Sequence, residues 1–287
     1  MRPAVGDGHP LQNKKKPPMD LLLAAELLVL GCCIGFLAGL LGIGGGMLMV
    51  PFLTIILGNR GVPSDLAFKM AIATSMATIL FTAISSVRAH HRRGAVRWDI
   101  VRGMAPGIVT GGLVAGAGIF ALIKGQALAL LFVGFLTFSA TQMLLDRKPK
   151  PSRTLPGWWG QSAAGSGIGL LSGLVGAGGA FASAPYMTWC NVPIHQVVAT
   201  ASALGFPIAL ANTAGYLLGS WDLPPPLPGA FGLLYLPALA VIATGSMAVA
   251  PWGAKAAHAL NVRQLKRVFA LLLYGLAAYM LVRTLNG

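Results

Sequence analysis

Residues 31–51 read GCCIGFLAGLLGIGGGMLMVP, and this stretch decides the fold. It returns 134 residues later, over 165–185, as GSGIGLLSGLVGAGGAFASAP, with ten positions identical and no gap. Gly31, Gly35 and Gly39 stand four apart, as do Gly165, Gly169 and Gly173. That spacing puts small residues on one helix face, where a second helix can approach closely. A cluster follows each face: Gly44-Gly45-Gly46 in the first copy, Gly178-Gly179-Ala180 in the second. Consecutive glycines weaken a helix by about 1 kcal/mol each, so packing alone explains the clusters poorly. Beyond them lie eleven apolar residues, 47–57 and 180–190, each with a proline near its start. Eleven helical residues rise about 16 Å, half a bilayer core. The pattern is helix, break, half-helix, twice over. Transporters build mid-membrane binding sites from such broken helices.

Composition agrees. Of 287 residues, 55% are hydrophobic and 10% charged, with mean hydropathy +0.73. Soluble domains carry about 25% charge. Apolar windows of about 20 residues recur along the chain, and no alternating ten-residue segments suggest a β-barrel. The net charge of +14 sits in short loops between apolar runs, the pattern of cytoplasmic retention rather than of nucleic-acid binding. The three cysteines make no C-x-x-C motif. The Gly-Lys-Ser/Thr ending of a P-loop and an H-E-x-x-H motif are both missing, and the seven acidic residues form no cluster. The chain is therefore read as a non-enzyme that needs no cofactor or metal.

The expected organisation is a disordered tail over 1–18, a first transmembrane repeat over 19–145, a charged Pro-rich linker over 146–158 and a second repeat over 159–287. Apolar segments fall at about 21–41 with 47–57, then 66–87, 101–123 and 126–145. The second half repeats the plan at about 159–175 with 180–190, then 196–219, 229–250 and 268–282. Pro106 and Pro237 are read as lying near the start of the third segment of each half. Further matches run in order: Val62-Pro63 with Val192-Pro193, the 73–77 stretch ATSMA with the 199–203 stretch ATASA, and Trp98-Asp99 with Trp221-Asp222.

The glycine cluster followed by proline, the Thr/Ser segment and the two-fold repeat together resemble the sulfite exporter TauE/SafE family of bacterial transporters, over about residues 20–285. The resemblance implies a secondary transporter of the inner membrane for small sulfur-containing oxyanions such as sulfite or organosulfonates. Other expectations stay open beside it: a passive anion channel, or a carrier of another small anion.

Loop charges bear on orientation. The loop after the second segment of the first half carries Arg88, Arg92, Arg93, Arg97 and Arg102 against Asp99, and its counterpart carries only Asp222. The next loop reverses this, with Lys124 alone against Lys255, Arg263, Lys266 and Arg267. Inverted repeats put matched loops on opposite sides, and the positive-inside rule then produces the alternation. The fold class expected is an all-α polytopic membrane protein of two inverted repeats. Each repeat has a glycine-broken first helix, spanning or re-entrant, followed by three transmembrane helices. In the re-entrant form Lys14–Lys16 fall outside. A parallel eight-span arrangement places them inside but strands residues 255–267.

Candidate substrate-binding residues follow from the breaks. The first amides of a helix lack intrahelical acceptors and carry partial positive charge, so Gly44, Gly45, Gly46, Gly178, Gly179 and Ala180 could cradle an anion. Thr74, Ser75, Thr200 and Ser202 would add hydroxyls, against a plain role in helix packing. Lys69, near the start of the second segment, could supply a cation or snorkel as an anchor. Glu26, His195 and Asn212 rank lower. The expected partners are a small anionic substrate and membrane lipid, with a homodimer compatible and no nucleic acid.

The loop charges yield a test. In a background freed of native cysteines, single cysteines at Arg92 and Arg267 should be protected from an impermeant external reagent, while one at Asp222 labels. The opposite pattern at 222 and 267 would refute inversion.

Overall fold

The computed structural model describes residues 20–41, 45–92, 94–145, 152–259 and 262–286. The first-half helices are α1 (Leu21–Leu41), α2 (Gly46–Asn59), α3 (Ser64–His91), α4 (Trp98–Leu113) and α5 (Gly125–Leu145). A π turn, Val114–Ile119, extends α4 into the short helix Phe120–Leu122. Then come α6 (Trp158–Val175), α7 (Ala180–Trp189), α8 (Ile194–Gly219), α9 (Leu236–Ala259) and α10 (Val262–Asn286). Among the described residues seven helices are long and apolar enough to cross a membrane: α1, α3, α4, α5, α8, α9 and α10. The protein is an all-α, multi-pass membrane protein. Its expected tail lies outside the described residues, as do positions 146–151 of the expected linker.

Local chemistry sets several boundaries. Pro63 and Pro193 cap α3 and α8 with nearly the same backbone, φ −52° and ψ 141° against φ −57° and ψ 136°. Their fixed φ and missing N–H suit a helix start. Three expectations need correction. Pro106 lies inside α4 rather than near its start, whereas Pro237 is the second residue of α9. The segment expected from 229 opens instead with an antiparallel pair, Ala230–Phe231 against Leu234–Tyr235, entered at Gly229 and turned at Gly232, both at positive φ. Trp98-Asp99 begins α4, but Trp221-Asp222 lies in the turn after α8, so that match is not one of position.

The helices α3 and α8 are the most buried of the long elements and form the centre. Around them α1 lies parallel to α9, and α6 lies parallel to α4. Both contacts depend on absent side chains. A Cβ at Gly31 would stand 2.8 Å from the Ile242 carbonyl oxygen, and one at Gly35 would overlap the Ser246 backbone. Correspondingly, a Cβ at Gly165 would overlap the Met104 carbonyl, and one at Gly169 the Ile108 carbonyl. In lipid, where apolar surface gains little by burial against apolar surface, such van der Waals contact between backbones holds helices together.

Two hairpins close on themselves. Asp20, before α1, pairs with Arg60, after α2, at 2.7 Å. Before α6, the Ser152 and Arg153 amides donate to the Trp189 carbonyl at the end of α7, each at 3.3 Å. Arg153 also lies over the Trp189 ring, 4.5 Å from its centroid. Each broken element therefore returns to the end of the molecule where it began. Asp65, Gln126 and Thr284 are linked at the Arg60 end, through Asp65 to the Gln126 amide and Gln126 to the Thr284 carbonyl. At the other end Arg97 reaches Gln196, 3.5 Å away.

Adding one methyl at Gly35 or Gly169 should cost about 1–3 kcal/mol or more by forcing backbones apart. Gly134→Ala, in a helix with open space around it, should be neutral or slightly stabilising. Thermal unfolding of the purified variants checks both. Equal melting of Gly35→Ala and Gly134→Ala would overturn the packing account.

Candidate functional site

The two glycine breaks meet in the middle of the molecule. Gly45 is left-handed, φ 68° and ψ −14°, a conformation that disfavours any residue with a Cβ. Gly46 opens α2 so close to the second break that a Cβ there would stand 2.9 Å from the Gly176 carbonyl oxygen and 3.5 Å from the Gly178 nitrogen. Gly176 ends α6 in the left-handed region, φ 68° and ψ 15°, against Ile72 of α3. Gly179 precedes α7 and faces Ile208 of α8. Ile79, the other neighbour of Gly46, and Ile208 both lie near the middle of their helices. Gly178 and Gly179 are buried, and Ala180 is half-buried at the first position of α7. Gly44 lies outside the described residues.

Helix geometry leaves the amides of Gly46 and Met47, and of Ala180 and Phe181, without intrahelical acceptors. Pro51 and Pro185, each inside its half-helix, lack the N–H that would otherwise reach the carbonyls of Met47 and Phe181. Each break thus combines helix-start donors with a carbonyl that lacks its usual i+4 donor. In the first turns of α7 Ser183 is fully buried, and among the described residues its hydroxyl has no hydrogen-bond partner. The void beside Gly45 and Phe181 is about 10 Å³, room for no more than one water.

Sequence and fold now bear on identity together. The TauE/SafE sulfite exporter family matches residues 27–280. The chain belongs to this family. It is 33% identical over 258 residues to a probable membrane transporter protein of Haemophilus influenzae, covering 89% of this chain and 97% of that one. It is 29% identical over 237 residues to a probable membrane transporter protein of Methanocaldococcus jannaschii, covering 75% of this chain and 84% of the relative. A Bacillus subtilis relative of the same description, YdhB, is 26% identical over 209 residues, or 69% of this chain and 78% of that one. No solved structure matches. These names are of membrane transporters rather than enzymes, and this TauE/SafE chain is a membrane transporter.

Within this member of the TauE/SafE family the hydroxyl candidates have structural partners. Thr74 Oγ1 accepts the Tyr235 amide at 3.1 Å, and Thr200 Oγ1 accepts the Arg97 amide at 3.0 Å. Tyr235 and Arg97 each immediately precede a helix, α9 and α4. The two threonines therefore fasten the same point of opposite halves. Ser75 is buried and donates to the Ile72 carbonyl, 3.0 Å away. Ser202 is half-buried and donates to the Val198 carbonyl at 2.9 Å. Lys69 extends to the Ala121 carbonyl at the end of α4, 3.4 Å away, as a cation at a helix C-terminus. Glu26 and His195 are exposed. Asn212 is fully buried and donates to the carbonyls of Ile208 and Gly169, at 2.8 and 3.4 Å. Beside it the Tyr216 hydroxyl donates to the Gly173 carbonyl. Both tie α8 to α6.

Ser183 escaped the sequence reading. Its signal was a hydroxyl in the second half-helix at the position where the first carries Met49.

Replacing Thr74 or Thr200 by valine leaves a buried amide unpaired, at a cost of about 1–3 kcal/mol. Both variants should melt lower than wild type by similar amounts. A large loss from one with none from the other would refute their equivalence.

Proposed function

We propose that the protein is a secondary transporter that carries small sulfur-containing oxyanions by alternating access, binding them where the N-termini of α2 and α7 converge. One observation carries the proposal: Gly46 lies against Gly176 and Gly178 near the middle of the molecule, and in the first turns of α7 the buried Ser183 hydroxyl has no partner among the described residues. Free amides and an unused donor are what an oxyanion needs, and the partial positive charge of two helix starts favours it. The choice of sulfur oxyanions is supported by the family description.

In this reading the halves, 19–145 and 159–287, are inverted repeats. The reciprocal glycine contacts support it, since α1 meets α9 and α6 meets α4 through matched residues. The hairpins add support. With both ends of α1–α2 at the Arg60 end and both ends of α6–α7 at the Arg97 end, three further helices complete each half and leave the halves oppositely directed. The membrane face carrying Arg88, Arg92, Arg97, Arg102, Arg153, Lys255 and Arg267 is then cytoplasmic. Rocking one half against the other about the breaks opens the site to each side in turn.

Ser183→Ala tests the site without confounding stability. Removing a buried hydroxyl that lacks a partner should leave melting unchanged or raised. Sulfite transport by the variant in proteoliposomes should fall about tenfold or more, the loss of one hydrogen bond to a charged group. Wild-type transport by Ser183→Ala would sink the proposed site.

A further inference from the structure

A second cavity, of about 170 Å³, opens at the Arg60 end, far along α2 from the glycine break. It lies where the end of α2 meets the starts of α3 and α5 and the end of α10, and its walls include Thr54, Asp65, Phe68, Gln126, Met280 and Arg283. Most of its polar groups are already engaged. Thr54 donates to the Val50 carbonyl, Gln126 to the Thr284 carbonyl, and Asp65 Oδ1 accepts the Gln126 amide. Among the described residues Arg283 has no hydrogen-bond or ion-pair partner, although Asp65 lines the same cavity. An arginine in the last turn of a membrane helix ordinarily snorkels outward. Here its guanidinium instead lies over Gly58, in space that any Cβ at position 58 would occupy.

We propose that this cavity is a second anion site, on the face opposite the basic loops, and that it takes small organic monoanions. Arg283 supplies a two-pronged donor to one oxyacid group. Phe68, Ala129 and Met280 supply an apolar floor for a short carbon body. The Asp65 carboxylate, fixed by the Gln126 amide, opposes a second negative charge, so the cavity discriminates against dianions. Such a site concentrates the outer solute next to α2, whose other end is the glycine break.

The site stands apart from the central one and is tested separately. Methanesulfonate and sulfate are titrated calorimetrically into purified protein in nanodiscs, as wild type and as Ser183→Ala, so that a failure at the central site leaves this signal intact. Methanesulfonate should bind Ser183→Ala saturably, and sulfate should bind at least about tenfold more weakly. Arg283→Gln should weaken methanesulfonate about tenfold or more, and Arg283→Lys, which keeps the charge but loses the two-pronged fork, should recover only part of the binding. Gly58→Ala should also lose it with the charge unchanged, and Asp65→Asn should raise sulfate affinity. Unaltered binding in folded Arg283→Gln and Gly58→Ala, or sulfate binding wild type as tightly as methanesulfonate, would overturn the proposal. So would binding that is present in phosphatidylcholine discs but lost in phosphatidylglycerol discs, which would make the cavity a lipid-headgroup site.

Discussion

The approach of backbone to backbone across missing side chains is the constraint on which the rest depends. Gly31 and Gly35 let α1 lie on α9, and Gly165 and Gly169 let α6 lie on α4. With those contacts made, each broken helix is held along its outer length, and its inner end is free to stop. The stops are then stable because left-handed glycines, Gly45 and Gly176, turn the chain where a Cβ would strain it. The half-helix α2 then starts against the 176–178 segment, where the second break lies. Packing at the periphery thus makes an unwound centre affordable in a medium that offers no water to satisfy it.

The threonine bonds extend this logic. Thr74 and Thr200 sit in the buried central helices, yet each holds the chain just ahead of the helix that receives the other half's glycine face. Position and partner match in both halves, so a change at one break is linked through α3 or α8 to the pair of helices flanking the other. The π turn in α4 is the exception, since α9 has no counterpart. Gly116 in that turn packs directly on α8, where a Cβ would stand 2.9 Å from Gly215. The halves are alike in plan without being interchangeable.

Much of this was legible in the residues. Apolar runs located most of the helices to within a few positions, but the strand pair delays the start of α9, which runs on to Ala259 rather than 250, and α10 starts at Val262 rather than 268. The recurrence of four-spaced glycines located the close contacts, because close approach has no other cheap chemical solution. Roles set by distant partners were not legible. Nothing near Thr74 in sequence marks the Tyr235 amide as its partner. Nor does anything near Lys69 mark the Ala121 carbonyl that it reaches. Trp221-Asp222 matched Trp98-Asp99 in letters but not in place. Ser183 went unnoticed because a lone hydroxyl in an apolar half-helix becomes informative only once its surroundings prove to offer it no partner.

The exchanged pairing of helices also bears on how the protein is made. When α6 emerges from the ribosome, α4 is already in the membrane to receive Gly165 and Gly169. No such partner awaits α1: Gly31 and Gly35 stay uncovered until Ile242 and Ser246 have been synthesised. For most of translation the first helix therefore exposes a small-residue groove that other helices could fill wrongly. A ribosome stalled before α9 would release a chain whose second half is paired and whose first is not. Truncation should accordingly be far more damaging to assembly at the C-terminal end than its distance from the first break suggests.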